Sequence, residues 1–213
     1  MTRTLVCAHR GASAYLPDNS ADGFVSAIAM GADAIETDVR RTPHGRLVLA
    51  HDPLPPQPSP DLVELGDLVD MAAGRIRLDV ELKEAGYEQQ VLEVLTPQPE
   101  GLLVTSFLPE VVAAIRALDA TVRTGLILGP WDESPDRFAR ADDCGAEVLV
   151  PHVDLLDDAL RDEAIRRRQP VAVWTVNDRE ALARLITDPA VGCVITDVPD
   201  VALALRRGGQ PSG

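Results

Sequence analysis

The chain has 213 residues, 46% of them hydrophobic, enough for a full core, so one domain is expected over residues 1–207 with a disordered tail at 208–213. A formal net charge of -14 disfavours nucleic acid and anionic lipid as partners, and no apolar run of about 20 residues offers a membrane span or stable insertion. Three cysteines without a Cys-x-x-Cys pair, and a start lacking a secretory apolar core, fit a reducing cytoplasm rather than a disulfide framework or zinc site.

The first apolar, β-rich run, 5–8, leads straight into His9-Arg10-Gly11. Helical spacing follows over 20–30, with Asn19 or Ser20 as N-cap and Gly31 just past the end. The strand at 34–39 carries Glu36 and Asp38. Only residues 40–46 separate it from the next run, 47–50, and a parallel crossover needs about a dozen. The 47–50 strand therefore folds back as a hairpin, turning at Pro43-His44-Gly45, and delivers His51-Asp52. A stiff proline-rich stretch, 53–60, precedes a short helix within 61–73. The strand at 76–82 brings Glu81 and, one residue later, Lys83.

Strands then recur at 102–106, 122–128, 148–150, 171–176 and 193–196, with helices at 87–95, 109–118, 157–168, 179–186 and 200–207. Nine runs less the hairpin strand leave eight parallel strands. Alternation of eight strands with helices is an α/β TIM (β/α)8 barrel, whose active sites lie at the carboxyl ends of its strands.

Glu36 and Asp38 are two apart on one strand, so both project to the same face, the barrel interior. Two such carboxylates repel unless a cation or proton intervenes. With Glu81 from the next parallel strand they make three hard oxygen ligands, suited to Mg2+ or Ca2+; ion pairs with Arg10, Arg40 or Lys83 are the alternative. Asp79 shares the Glu81 face one layer deeper and stands outside the metal set. Of 20 basic residues, Lys83 is the single lysine, a compact ammonium where a guanidinium would be too large. His9 and His51 reach one rim from different strands, and an imidazole pair can share acid and base roles near neutral pH. Arg10 and Lys83 can neutralise phosphate oxygens. His44 is expected in solvent, and His152 either reaches the site or is structural. Phe107 and Trp174 are either core or an apolar wall.

In order along the chain, His9-Arg10-Gly11, Pro17-Asp18-Asn19-Ser20, Gly31-Ala32-Asp33 with Glu36-x-Asp38-Val39, His51-Asp52 and Glu81-x-Lys83 resemble the glycerophosphodiester phosphodiesterase family. So do Ser106-Phe107, Trp174-Thr175-Val176-Asn177 and Ile195-Thr196-Asp197-x-Pro199-Asp200. The resemblance implies a TIM barrel that hydrolyses phosphodiesters with a divalent metal. On that pattern His9 and His51 are the acid/base pair, Glu36, Asp38 and Glu81 the metal ligands, and Arg10 and Lys83 the phosphate contacts. Asn19 is a further polar contact to metal-bound groups or phosphate, and Phe107 and Trp174 border the alcohol. The family usually has Glu where this chain has Asp18, and commonly inserts a capping subdomain where this chain has only 53–78. The roof over the alcohol is thus reduced.

The expected activity is metal-dependent hydrolysis of a small-molecule phosphodiester to an alcohol and sn-glycerol 3-phosphate or a related phosphomonoester. Related barrels also act on lysophospholipids in the manner of a phospholipase D. A phosphoester-binding barrel without turnover, and a lyase or aldolase using Lys83 as a Schiff base, are the rivals from other classes.

Overall fold

A computed structural model describes residues 3–97 and 99–208. Eight parallel strands form the barrel: β1 (Leu5–His9), β2 (Ala34–Arg41), β4 (Arg77–Leu82), β5 (Leu103–Ser106), β6 (Arg123–Leu128), β7 (Val148–Pro151), β8 (Val171–Val173) and β9 (Val191–Thr196). The intervening β3 (Leu47–Leu49) pairs antiparallel with β2, as the short 40–46 connection requires. Its turn is closed by Gly45 N donating to Thr42 O at 2.9 Å, with Gly45 at φ +85°, where a side chain would be strained. Strand order is β7-β6-β5-β4-β2-β1-β9-β8, and a parallel bridge between His152 and Trp174 closes the ring just past the ends of β7 and β8.

The helices are α1 (Ala21–Met30), α2 (Leu65–Ala72), α3 (Glu88–Val94), α4 (Pro109–Leu118), α5 (Arg137–Cys144), α6 (Asp158–Arg167), α7 (Arg179–Leu185) and α8 (Pro199–Gly208). Ser20 caps α1 by accepting from Gly23 N, and Gly31 ends it at φ +83°. Between Asp52 and β4 the chain makes a loop and α2, the barrel's own helix. Two apolar clusters fill the space between strands and helices, among them Phe24, Ile35, Leu78 and Leu126. A third, of Cys7, Ala34, Ile127, Val148, Val150, Ala172 and Ile195, fills the barrel. Burying apolar residues on both faces of parallel strands gives these strands their continuous apolar character.

Helix α5 has no counterpart in the expected elements. Its buried face is only Phe138, Ala141 and Cys144, while the rest of RFARADDC is charged apart from the half-buried Ala139, so its apolar spacing is thin. Asp136, accepting from Ala139 N, and Gly145 at φ +75° define its ends instead. Strand β8 ends at Val173, three residues short of the expected 176, and α2 occupies Leu65–Ala72 within the expected 61–73 stretch. Gly208 closes α8, and the rest of the expected tail lies outside the described residues.

Candidate active site

Strand register brings the carboxylates together. Glu36 is paired across from His9 on β1 and Asp79 on β4, and Asp38 across from Glu81. Ligating oxygens of Glu36, Asp38 and Glu81 all lie within 4.8 Å of one another, and all three residues are buried. Two cations flank them. Lys83 Nζ is 2.7 Å from Glu81 Oε1 and 3.3 Å from Asp38 Oδ1, and Arg10 Nε is 3.1 Å from Asp38 Oδ2. Arg10 Nη1 also donates to Asp18 at 2.9 Å, and its backbone N–H donates to Glu36 Oε2 at 3.1 Å. Arg40, by contrast, turns away to Glu84 and the His51 carbonyl.

The loop after β1 is held in a demanding shape. Arg10 and Asn19, neither of them glycine, have φ of +52° and +54°, and Asn19 N donates to Arg10 O at 3.0 Å. Left-handed backbone at non-glycine residues costs about 1–3 kcal/mol and persists where surrounding bonds over-determine it. Here those bonds are visible. Asn19 Nδ2 donates to Asp38 Oδ2 at 2.9 Å, while its Oδ1 accepts from Thr37 Oγ1 at 2.7 Å. Asn19 therefore orients Asp38 from behind. Gly11, at φ +87°, packs where an added Cβ would lie 2.8 Å from the Gly23 carbonyl carbon.

Electrostatics divide the carboxylates. Burial, reinforced by Asp38 and Glu81, pushes Glu36 well above the usual carboxyl range. Burial also raises Glu81 to about 7 against the pull of Lys83, and Asp79, which accepts from Thr105 Oγ1 at 2.8 Å, to about 7. Asp38 alone is lowered: burial opposes its charge, but Arg10, Lys83 and the Asn19 amide outweigh it. Asp38 Oδ1 and Glu81 Oε1 are buried and, although near Lys83, accept no well-aligned hydrogen bond. Unsatisfied buried carboxylate oxygens on a compact three-residue set suit a hard dication such as Mg2+ or Ca2+.

Each of the paired histidines is anchored through Nδ1. His9 Nδ1 lies 2.6 Å from Asp197 Oδ1, and its Nε2 lies 3.8 Å from Glu36 Oε2. His51 Nδ1 lies 2.9 Å from Asp52 Oδ1. A carboxylate only accepts, so Nδ1 carries the proton in each pair and Nε2 is left for proton exchange. Asp197 is itself held by Ser13 Oγ at 2.7 Å and by the Asn177 amide. Burial opposes its charge, yet these bonds from His9, Ser13 and Asn177 bring it down to about 2.

His9, His51, Arg10, Glu36, Glu81, Lys83, Phe107 and Trp174 all line one cavity of about 410 Å³. Asp38 and Asn19 stand behind that wall. His152 packs edge-on against Trp174 at 5.2 Å and accepts from Asp154 N, which is a supporting position. His44 is exposed in the hairpin turn. Two contributors escape the residue-level assignment, Asp197 and Trp131, whereas Asn177, a candidate hydrogen-bond donor beside Trp174, donates to Asp197. Asp197 stands within the matched motifs, so its place at a strand end is a usable signal. Trp131, one of only two tryptophans, sits in the loop after β6 with no pattern around it.

The fold and this centre define a class: an α/β-barrel with a buried acidic, cation-flanked pocket at the carboxyl ends of its strands. The glycerophosphoryl diester phosphodiesterase family model matches residues 9–76 and 77–201, and the chain belongs to that family as a hydrolase-like enzyme. A glycerophosphodiester phosphodiesterase of Caldanaerobacter subterraneus is 50% identical over 50 residues, which is 24% of this chain and 21% of that relative. A phosphodiesterase of Oleispira antarctica, solved with its product sn-glycerol-3-phosphate, superposes with a TM-score of 0.82 at 20% identity, over 95% of this chain and 96% of that one. A glycerophosphodiester phosphodiesterase of Thermotoga maritima gives 0.81 at 20% identity, over 96% and 99%. Among the described residues, no helix is long and apolar enough to cross a membrane.

Proposed function

We propose that the protein hydrolyses small-molecule phosphodiesters of the glycerophosphodiester type with Mg2+ or Ca2+, releasing an alcohol and sn-glycerol 3-phosphate or a related phosphomonoester. One observation carries the reading: two Nδ1-anchored histidines share a cavity with Glu36, Glu81 and the two cations, and an Asp38 oxygen lies within 4.8 Å of those of the two glutamates. Glu36, Asp38 and Glu81 would hold the metal, which supplies Lewis-acid stabilisation of charge on phosphoryl oxygen. Arg10 and Lys83 neutralise the non-bridging oxygens as charge develops. One histidine takes the proton of the attacking water or neighbouring substrate hydroxyl, and the other returns a proton to the departing alkoxide; after hydroxyl attack, water opens the cyclic phosphate in a second step. Phe107 and Trp174 border the alcohol, and Asn19 keeps Asp38 aimed inward. The product bound to the Oleispira relative is chemically the product expected here.

The test is release of glycerol 3-phosphate from glycerophosphocholine, abolished by EDTA and restored by Mg2+ or Ca2+. His9→Ala combined with His51→Ala should lower the rate by about 10³-fold or more, given about 10²–10⁴ for acid/base catalysis. Full activity in that double variant would remove the mechanism. Binding of glycerol 3-phosphate without turnover of any diester would favour the non-catalytic barrel.

A further inference from the structure

We infer that Trp131 sets the substrate preference of this site, selecting diesters whose alcohol presents a methyl or methylene surface over those with a polyol. The inference rests on the phosphodiesterase reading above. Trp131 is 72% exposed, yet its indole lines the same cavity as His9 and Lys83. Its placement is built into the loop. A Cβ on Gly129 would lie 2.4 Å from the indole ring, so only glycine there lets the ring lie where it does. Asp132 N donates to Gly129 O at 2.9 Å, and the Asp132 carboxylate accepts from Ser134 N at 3.0 Å and pairs with Arg140 of α5.

The indole stacks on Phe107 at 5.9 Å and 20°, and Trp174 meets Phe107 edge-on at 5.5 Å and 83°. Lys83 Nζ sits 5.6 Å from the centre of the Phe107 ring, where the charged part of the pocket gives way to this aromatic wall. Two donors on the wall are already committed within the protein: Thr105 Oγ1 to Asp79 at 2.8 Å, and Trp174 Nε1 to Val150 O at 3.0 Å. A polyol held against these ring faces gives up water without regaining equivalent hydrogen bonds. A methyl-covered group has no such bonds to lose and removes apolar surface, including the exposed indole, from water. The chain between the hairpin and β4 adds no subdomain, and Trp131 lines the cavity beside Phe107 and Trp174.

Steady-state hydrolysis of three diesters sharing one glycerophosphate half tests this: glycerophosphocholine, its neutral 3,3-dimethylbutyl isostere, and glycerophosphoglycerol. The first two should exceed the third in kcat/KM by about tenfold, the scale of small apolar differences in a pocket. Trp131→Ala should shrink that preference to within about threefold, mainly through KM, and Trp131→Phe should retain most of it. Circular dichroism confirms that both variants are folded. An equal loss on all three diesters would overturn the inference, because the shared glycerol would then occupy the wall. So would preference for the choline diester without its isostere, which would make charge the selector. If none of the three is hydrolysed with Mg2+ or Ca2+, the phosphodiesterase reading fails on its own. Tryptophan fluorescence titration with the same compounds then decides, and equal affinity for all three would sink the role of Trp131.

Discussion

The two halves of the pocket are built by different means. In the charged half, Glu36, Asp38 and Glu81 lie within strands β2 and β4, their neighbours fixed by ladder register and their side chains by Arg10, Asn19 and Lys83. In the aromatic half, Phe107 and Trp174 each lie one residue past a strand end, and Trp131 three past β6. Buried charge tolerates little misplacement, because an unpaired ion in the interior is far more costly than a loosened apolar contact. The carboxylate set is therefore lodged in the sheet, and the aromatic wall in the loops. Damage to the charged half should abolish turnover, and damage to the aromatic half should redistribute it among substrates.

The largest effect is expected at Asp38. Asp38→Asn removes the one carboxylate of the set that the cations hold ionised, and leaves Arg10 and Lys83 short of a counter-charge. Turnover should fall by about 10²–10³-fold or more, as for loss of a principal electrostatic group. Calorimetric titration with Mg2+ or Ca2+ should show weakened binding. Unchanged metal affinity would take Asp38 out of the ligand set and narrow the contrast between the two halves.

Asp197→Asn should act more mildly, through His9. The variant can still touch Nδ1 but no longer fixes the proton there by charge, so the rate should drop about 10–100-fold with KM nearly unchanged. The wild type adds a pH signature. Asp197 is depressed to about 2, so its stabilisation is complete above its ordinary carboxyl range and disappears as pH falls through about 4 to 2. Its half-exposed setting reduces this to about 1–2 kcal/mol. Urea denaturation should show a gap between wild type and variant at pH 6 that is about halved at pH 3, midway through that range. Parallel curves at both values would show that Asp197 contributes nothing through its charge.

The same division decides how much of the site is legible in the sequence. Period-two spacing placed Glu36 and Asp38 on one face, and the short 40–46 link forced the hairpin that carries His51, so the barrel and its charged half were legible. The partners that position those groups were not. Asp197 meets His9 from the far end of the chain, a proximity created by β1 pairing with β9. Asn19 is expected as the α1 cap or, on the family pattern, as a polar contact to metal-bound groups or phosphate, whereas Ser20 makes the cap and Asn19 donates to Asp38. Helix α5 and the Trp131 loop were hidden for a related reason. Their placement depends on small or polar residues whose only signals are a single Asp136 cap and two glycines.

The smallest effect is expected where the charged half is braced from outside. Tyr87 Oη donates to Val39 O at 2.7 Å and accepts from Glu84 N at 3.3 Å, tying the end of β2 to the chain just after Lys83. Tyr87→Phe should cost about 1 kcal/mol at neutral pH, the usual worth of such a bond, because the Val39 carbonyl still accepts from Lys83 N at 3.3 Å. Activity should change by less than about threefold, because neither bonded atom belongs to the reacting set. Burial pushes the Tyr87 phenol up to about 12, so the folded state holds its proton longer than the unfolded chain does. Its stabilisation is therefore complete below about pH 10 and is lost as pH rises from about 10 to 12. Denaturation curves of wild type and Tyr87→Phe should accordingly draw together above pH 10. A large loss of turnover in this variant would mean that the sheet does not hold the carboxylates unaided, and that the charged half depends on its outer loops as much as the aromatic half does.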